Sequence, residues 1–258
     1  MIYIATHKKF ENPNLENYIP LQVGAEGKVN LGYLTDNTGN NISDKNSNYC
    51  ELTGLYWIWK NCTDEYKGLV HYRRFFGKNN YSNATKDIYS YQQLVEMTKD
   101  ADIVLPFVET FKQNEKDELL LKCCTNDIFM KLEKIVKEKY PDYGKAFDEY
   151  FSNNRSSLFN MMFCKREIFD QYCNWLFDIL FELEAIVDLN DLNDYQKRLY
   201  GFLSERLLNV WVDKNCLSIK HVPIINVGMS MVDRATLIRR RITNKVFWIA
   251  YKLGVNTK

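Results

Sequence analysis

Apolar residues fall along this chain in two rhythms. Short unbroken runs bounded by polar or turn-forming residues alternate with longer stretches whose apolar positions recur every three or four residues. The runs read as buried strands at 2–6 (IYIAT), 68–72 (GLVHY), 101–106 (ADIVLP, stopped by Pro106), 158–164 (LFNMMFC) and 221–227. Helical periodicity marks 91–99, 127–139, 143–150, 166–183 and 195–212, the second of these closed by Pro141. Residues 48–61 predict a helix apolar on most faces, with Asn48 as N-cap and Glu51 at capping-box spacing. Such a helix belongs inside a domain rather than on its surface. Residues 11–20 and 34–47 read as loops, and 109–126 are polar with no clear element. Strands alternating with helices predict an α/β domain built on a mainly parallel sheet.

At 258 residues, 46% hydrophobic and 26% charged, the chain can bury one substantial core, and disorder is excluded. No run of 18 or more apolar residues exists, and the opening apolar run is too short for a secretory signal. The seven cysteines form no CxxC pair, and His7, His71 and His221 do not neighbour them at ligand spacing. Reduced thiols in a cytosolic protein, without zinc, are expected.

The net charge of +1 hides an asymmetry. Residues 234–258 carry seven basic side chains and no acidic one, leaving 27 basic against 33 acidic residues in the remainder. An acidic body argues against nucleic acid as a partner. Wound as a helix, the tail sets Leu237, Ile238, Ile242, Val246, Trp248 and Ile249 among its cations, a pattern suited to an anionic membrane surface. Packing against the core is the competing reading. The division expected is a body, 1–232, and a basic amphipathic tail, 233–258.

The chemistry concentrates near residue 71. A strand delivering His71, Arg73 and Arg74 at its end can hold a dianion, because guanidinium pairs with phosphate bidentately. Adjacent strand residues point to opposite faces, so both arginines reach one ligand only if the backbone turns there. A salt-bridged pair and a core histidine are the alternatives. Thr6 and His7 end the first strand, while Lys45 and Asn46 lie on the polar loop before the 48–61 helix; all four are candidate ligand contacts. Glu51 reads as a cap before a catalytic group. Glu205, Asp127 and Asp194 are the candidate carboxylates for a general base, with Glu205 first, against a Glu205–Arg206 surface pair and a helix-terminal charge at Asp127.

Several pieces together, IYIATHKK (2–9), YIPLQVGA (18–25), NISDKNSNYCELTGLYWIWKN (41–61), GLVHYRRFF (68–76), DIVLP (102–106), NMMFCKREIFDQYCNWLF (160–177) and RLYGFLSERLLNVWV (198–212), resemble bacterial capsular and exopolysaccharide glycosyltransferases of a family long known only as a domain of unknown function. The resemblance implies a GT-A-like single domain that moves a hexose, galactose in pyranose or furanose form first, from a UDP-sugar donor to a lipid-linked glycan of capsule, exopolysaccharide or O-antigen. It also implies a place on the inner face of the cell membrane. One departure matters: many GT-A enzymes carry a metal-binding Asp-x-Asp where this chain reads His71-Tyr72-Arg73. Transfer without a metal is therefore expected, with Mn²⁺ or Mg²⁺ as the alternative cofactor. A non-catalytic glycan- or membrane-docking module is the rival reading.

Overall fold

The first strand, β1 (Ile2–Thr6), sends alternate side chains into two different cores. Ile2 and Ile4 join one apolar cluster, Tyr3 and Ala5 the other, so the sheet is covered on both faces. The computed structural model describes residues 1–79 and 82–252. After β1 come β2 (Tyr18–Gln22), β3 (Leu34–Thr35), β4 (Tyr66–His71), β5 (Arg74–Phe76), β6 (Ile103–Pro106) and the two-residue β7 (Glu109–Thr110). Further on lie β8 (Arg155–Ser156), β9 (Met162–Lys165), β10 (Ile219–Val222) and β11 (Ile224–Asn226). The main path runs β10-β6-β9-β4-β1-β2-β3, parallel except for β9, which is antiparallel to both β4 and β6. The expected mainly parallel sheet is present.

The larger core lies under α2 (Leu52–Asn61), α5 (Asn126–Lys139), α6 (Gly144–Ser152), α7 (Arg166–Ile186) and α8 (Leu199–Lys214). On the other face, α3 (Tyr91–Met97) and the strands β5 and β11 cover Ile2, Ile4 and Val70. Lys67 of β4 is fully buried in this framework, with its ammonium 2.7 Å from Asp170 of α7.

Several expectations give way, each for a physical reason. Residues 18–20 are strand rather than loop; β3 pairs only with Leu21 and Gln22, so β2 is an edge at Pro20 and loses nothing by the missing N–H. The helix foreseen over 48–61 is two: α1 (Asn46–Tyr49) and α2, separated by Cys50 at φ 54°. Asn48 therefore caps nothing, and its amide donates to Lys197 O at 2.8 Å. The run at 158–164 becomes strand only from Met162, because Phe159 and Asn160 sit at φ 79° and 52°. Pro223 divides 221–227 into β10 and β11. The polar stretch 109–126 holds β7 and α4 (Glu115–Lys122), and α8 starts only at Leu199, after a 3-10 turn.

The predicted tail helix is α9 (Met231–Lys252); residues 253–258 lie outside the described residues. It is docked along one side. Arg241 Nη2 and Nε meet Glu109 Oε1 at 2.8 and 3.1 Å, its guanidinium lies 4.1 Å from the centre of the Phe107 ring, and Asn244 Nδ2 donates to Thr110 O at 3.0 Å. Ile242, Val246 and Ile249, at positions i, i+4 and i+7, are 58–60% exposed, and Ile242 also borders the groove between this helix and β7. Among the described residues no helix is long and apolar enough to cross a membrane.

Candidate functional site

Strand β4 ends at His71, and the chain turns back over Tyr72 and Arg73 so that Arg74 pairs with His71 in antiparallel β5. This two-residue reversal settles the geometry of the two arginines. Both line one cavity of about 450 Å³, beyond the carboxyl ends of parallel strands β1, β2 and β4. Open α/β sheets bind ligands at that edge.

Thr6 and His7 from the end of β1, Asn46 from α1, and His71, Arg73 and Arg74 all stand in its wall. Two expected contacts do not. Lys45 turns away to pair with Glu184 of α7 at 2.7 Å. Asp127 is an exposed residue in the first turn of α5, 2.7 Å from Lys131, and lines neither this cavity nor the one beside it. Its helix-terminal role is the one the structure displays.

The wall includes two residues that sequence reasoning passed over, Arg198 and Cys50, together with Glu51, which it read first as a helix cap. Arg198, just before α8, faces the cavity and donates through Nε to Cys50 Sγ at 3.3 Å. Cys50 is there because its positive φ breaks the helix. Glu51 follows, but its side chain makes no cap bond; Oε1 instead accepts from Asn160 Nδ2 at 2.7 Å. Arg198 and Asn160 head two of the family-like segments, the only sequence signal that could have flagged them. Gly24 permits the close fit of α1: its φ is +60°, and a Cβ there would lie 2.3 Å from Asn46 Cγ. Buried Asp36 fixes this turn, accepting the amides of Gly24 and Ala25 at 2.7 and 3.0 Å.

Positive charge outweighs negative in the cavity wall, where among the described residues Glu51 is the one carboxylate against Arg73, Arg74 and Arg198. None of Arg73, Arg74 and Arg198 has a carboxylate within ion-pair distance among the described residues. His71 is held neutral, its pKa pushed down first by burial, and its Nε2 lies 2.6 Å from Phe159 O. That contact puts the proton on Nε2 and leaves Nδ1 as an acceptor.

Phe159 forms the partition with a second cavity of about 310 Å³, which shares Arg74 and Arg198 with the first. Its carbonyl meets His71, its amide donates to Glu205 Oε1 at 3.0 Å, and Arg74 lies 4.5 Å over its ring. Holding a bulky residue at φ 79° costs backbone strain, and these three contacts fix it. Glu205 is in the wall of the second cavity, with Oε2 accepting from Arg206 Nη1 at 2.9 Å. Burial raises its pKa, opposed by Arg206. Behind it, Glu115 is fully buried with its nearest cation, Arg206 Nε, 3.5 Å away, and burial lifts its carboxyl from 4.5 to about 7.

Among the described residues no group of three or more His, Cys, Asp or Glu stands close enough to share a metal ion. The three guanidiniums outnumber the single carboxylate, Glu51, in the wall, a balance that suits an anion.

The chain belongs to the family described as "Domain of unknown function (DUF4422)", which matches residues 1–216. Its fold is similar to that of a solved structure, the apo form of the bifunctional glycosyltransferase WbbM, with a TM-score of 0.79 and 28% sequence identity. That match covers 88% of this chain and 45% of the WbbM chain, so this chain spans about half the length of its structural relative. No curated protein matches it.

Proposed function

We propose that the chain is a nucleotide-sugar-dependent glycosyltransferase whose first cavity holds the donor diphosphate. One observation carries this reading: Arg73, Arg74 and Arg198 bring three guanidiniums without carboxylate partners to the carboxyl edge of a parallel sheet. The similarity to a glycosyltransferase structure supports it. In the reaction, an acceptor hydroxyl attacks the anomeric carbon while the bond to the diphosphate oxygen breaks. Glu205 takes the hydroxyl proton, and the arginines stabilise the charge left on the departing nucleoside diphosphate. Fixed cations do what a divalent ion does in other enzymes, so transfer needs no metal. The donor proposed is a UDP-hexose and the acceptor a lipid-linked surface glycan, as the sequence resemblance implies.

Such an acceptor is confined to a membrane face. The outer side of α9, with Ile242, Val246 and Ile249 flanked by Arg239 and Lys245, is suited to an anionic bilayer surface. Peripheral attachment on the cytoplasmic side is part of this proposal. Ile242→Glu with Val246→Glu should abolish binding to liposomes containing phosphatidylglycerol; unchanged binding rejects this attachment.

Thermal stabilisation by UDP, GDP, CMP and dTDP, each in EDTA and in Mn²⁺, tests the core reading. A selective shift with UDP in EDTA is expected. A shift only with Mn²⁺ overturns the metal-free mechanism, and no shift with any nucleotide overturns the donor site.

A further inference from the structure

The second cavity has a composition that the donor site does not explain. Phe111, Phe159, Tyr195 and Phe202 give it aromatic surfaces of the kind on which sugar rings pack. Its carboxylates are already engaged by protein cations: Glu118 by Lys122 at 2.8 Å, Glu205 by Arg206 at 2.9 Å, and Glu109 by Arg241 at 2.8 Å. What remains is Arg74 and Arg198 on the wall shared with the donor cavity and, contributed by α9, Arg240. Arg240 is exposed and has no ion pair, hydrogen bond or ring contact among the described residues. An unmatched guanidinium beside aromatic rings grips an anionic oxygen pair more strongly than a neutral hydroxyl.

Resting on the transferase reading, we propose that this cavity is the acceptor site and that it selects an anionic glycan. The reactive hydroxyl points toward Glu205, which lines this cavity and accepts from the amide of the partition residue Phe159. An anionic group borne by the acceptor sits at Arg240, on the part of the wall that α9 supplies. That group is a phosphate linking the glycan to its carrier or a carboxylate on a sugar; both present the two oxygens that guanidinium grips. The C-terminal helix is therefore part of substrate recognition as well as a surface element.

Binding to the full-length chain saturated with UDP tests this, since UDP then occupies the donor arginines. The probes are a hexose 1-phosphate, a hexuronic acid and the neutral methyl hexoside, followed by ligand-observed NMR. One of the two anionic probes should bind roughly tenfold or more tightly than the neutral one, the equivalent of one charge-assisted hydrogen bond. A preference for the phosphate assigns the charge to the carrier linkage, and a preference for the uronate assigns it to an acidic sugar. Arg240→Ala should remove the preference and Arg240→Lys retain part of it, with UDP stabilisation in each variant reporting an intact fold. Equal binding of all three probes, or a preference that survives Arg240→Ala, overturns the inference while leaving the donor site standing. Absence of UDP binding by the unaltered chain instead rejects the reading beneath it.

Discussion

The carboxamide of Asn160 holds Glu51 in the cavity wall, donating to Oε1 at 2.7 Å, and the same nitrogen reaches Gly201 O at 3.1 Å. Its oxygen accepts from Ser204 Oγ at 2.7 Å, so one buried side chain ties the start of α2 to α8. The φ of 52° is a conformation that asparagine tolerates better than most residues. Asn160→Ala strips three hydrogen bonds and frees a carboxylate beside the proposed diphosphate. We expect a loss of about 2–3 kcal/mol of stability by denaturant titration, with weaker UDP binding. Unaltered stability would show that water replaces the carboxamide without cost.

Arg73 and Arg74 are neighbours in sequence with different reach. Arg73 lines the donor cavity alone, whereas Arg74 stands in both walls. Arg73→Ala should weaken UDP binding by roughly 10- to 100-fold, the loss of one charge-assisted contact, and leave acceptor saturation unchanged. Arg74→Ala should raise the KM for donor and acceptor together. Calorimetry with UDP and steady-state kinetics over both substrates separate the two patterns; identical profiles would contradict the shared wall.

Glu205 must be ionised to accept a proton, and its burial places its pKa above the ordinary carboxylate value. Activity should therefore fall as pH drops through that raised pKa, giving an acid limb displaced toward neutrality. Glu205→Gln should reduce kcat by roughly 10²- to 10⁴-fold and leave UDP stabilisation in place. A pH profile with the same acid limb in the glutamine variant would remove Glu205 from the role of base.

Glu115 makes a separate, thermodynamic prediction. Its pKa is raised by burial from 4.5 to about 7, so the folded chain holds a proton that the unfolded chain has released between those values. Stability should fall as pH rises through that window, by roughly 3 kcal/mol in all, and level off above it. Glu115→Gln should flatten the fall. Urea unfolding of both proteins at about pH 5 and about pH 8 measures it, and parallel losses would place the titration elsewhere.

The strands of the sheet were legible wherever burial on both faces made an apolar run, as at Ile2–Thr6 and Ile103–Pro106. Tyr18–Gln22 escaped because Pro20 argues against a strand, and its edge position shows only in three dimensions. At the site, Arg73 and Arg74 announced themselves by charge at a strand end, but that both face one cavity depends on the turn at Tyr72–Arg73. Arg198 and Asn160 were silent, since each acts through residues far along the chain, Cys50 and Glu51. Lys45 and Asp127 misled for the opposite reason. Their charge was visible, and the partners that absorb it, Glu184 and Lys131, could be known to meet them only by folding.

The family match ends at residue 216, and every residue around the donor cavity lies before that point. The second cavity reaches past it, to Arg240 on α9. The contacts that fasten this helix, Glu109–Arg241 and Thr110–Asn244, involve neither the main sheet nor the diphosphate arginines. Grafting α9 between members of the family would then transplant a preference for the acceptor while the donor chemistry stayed with the host.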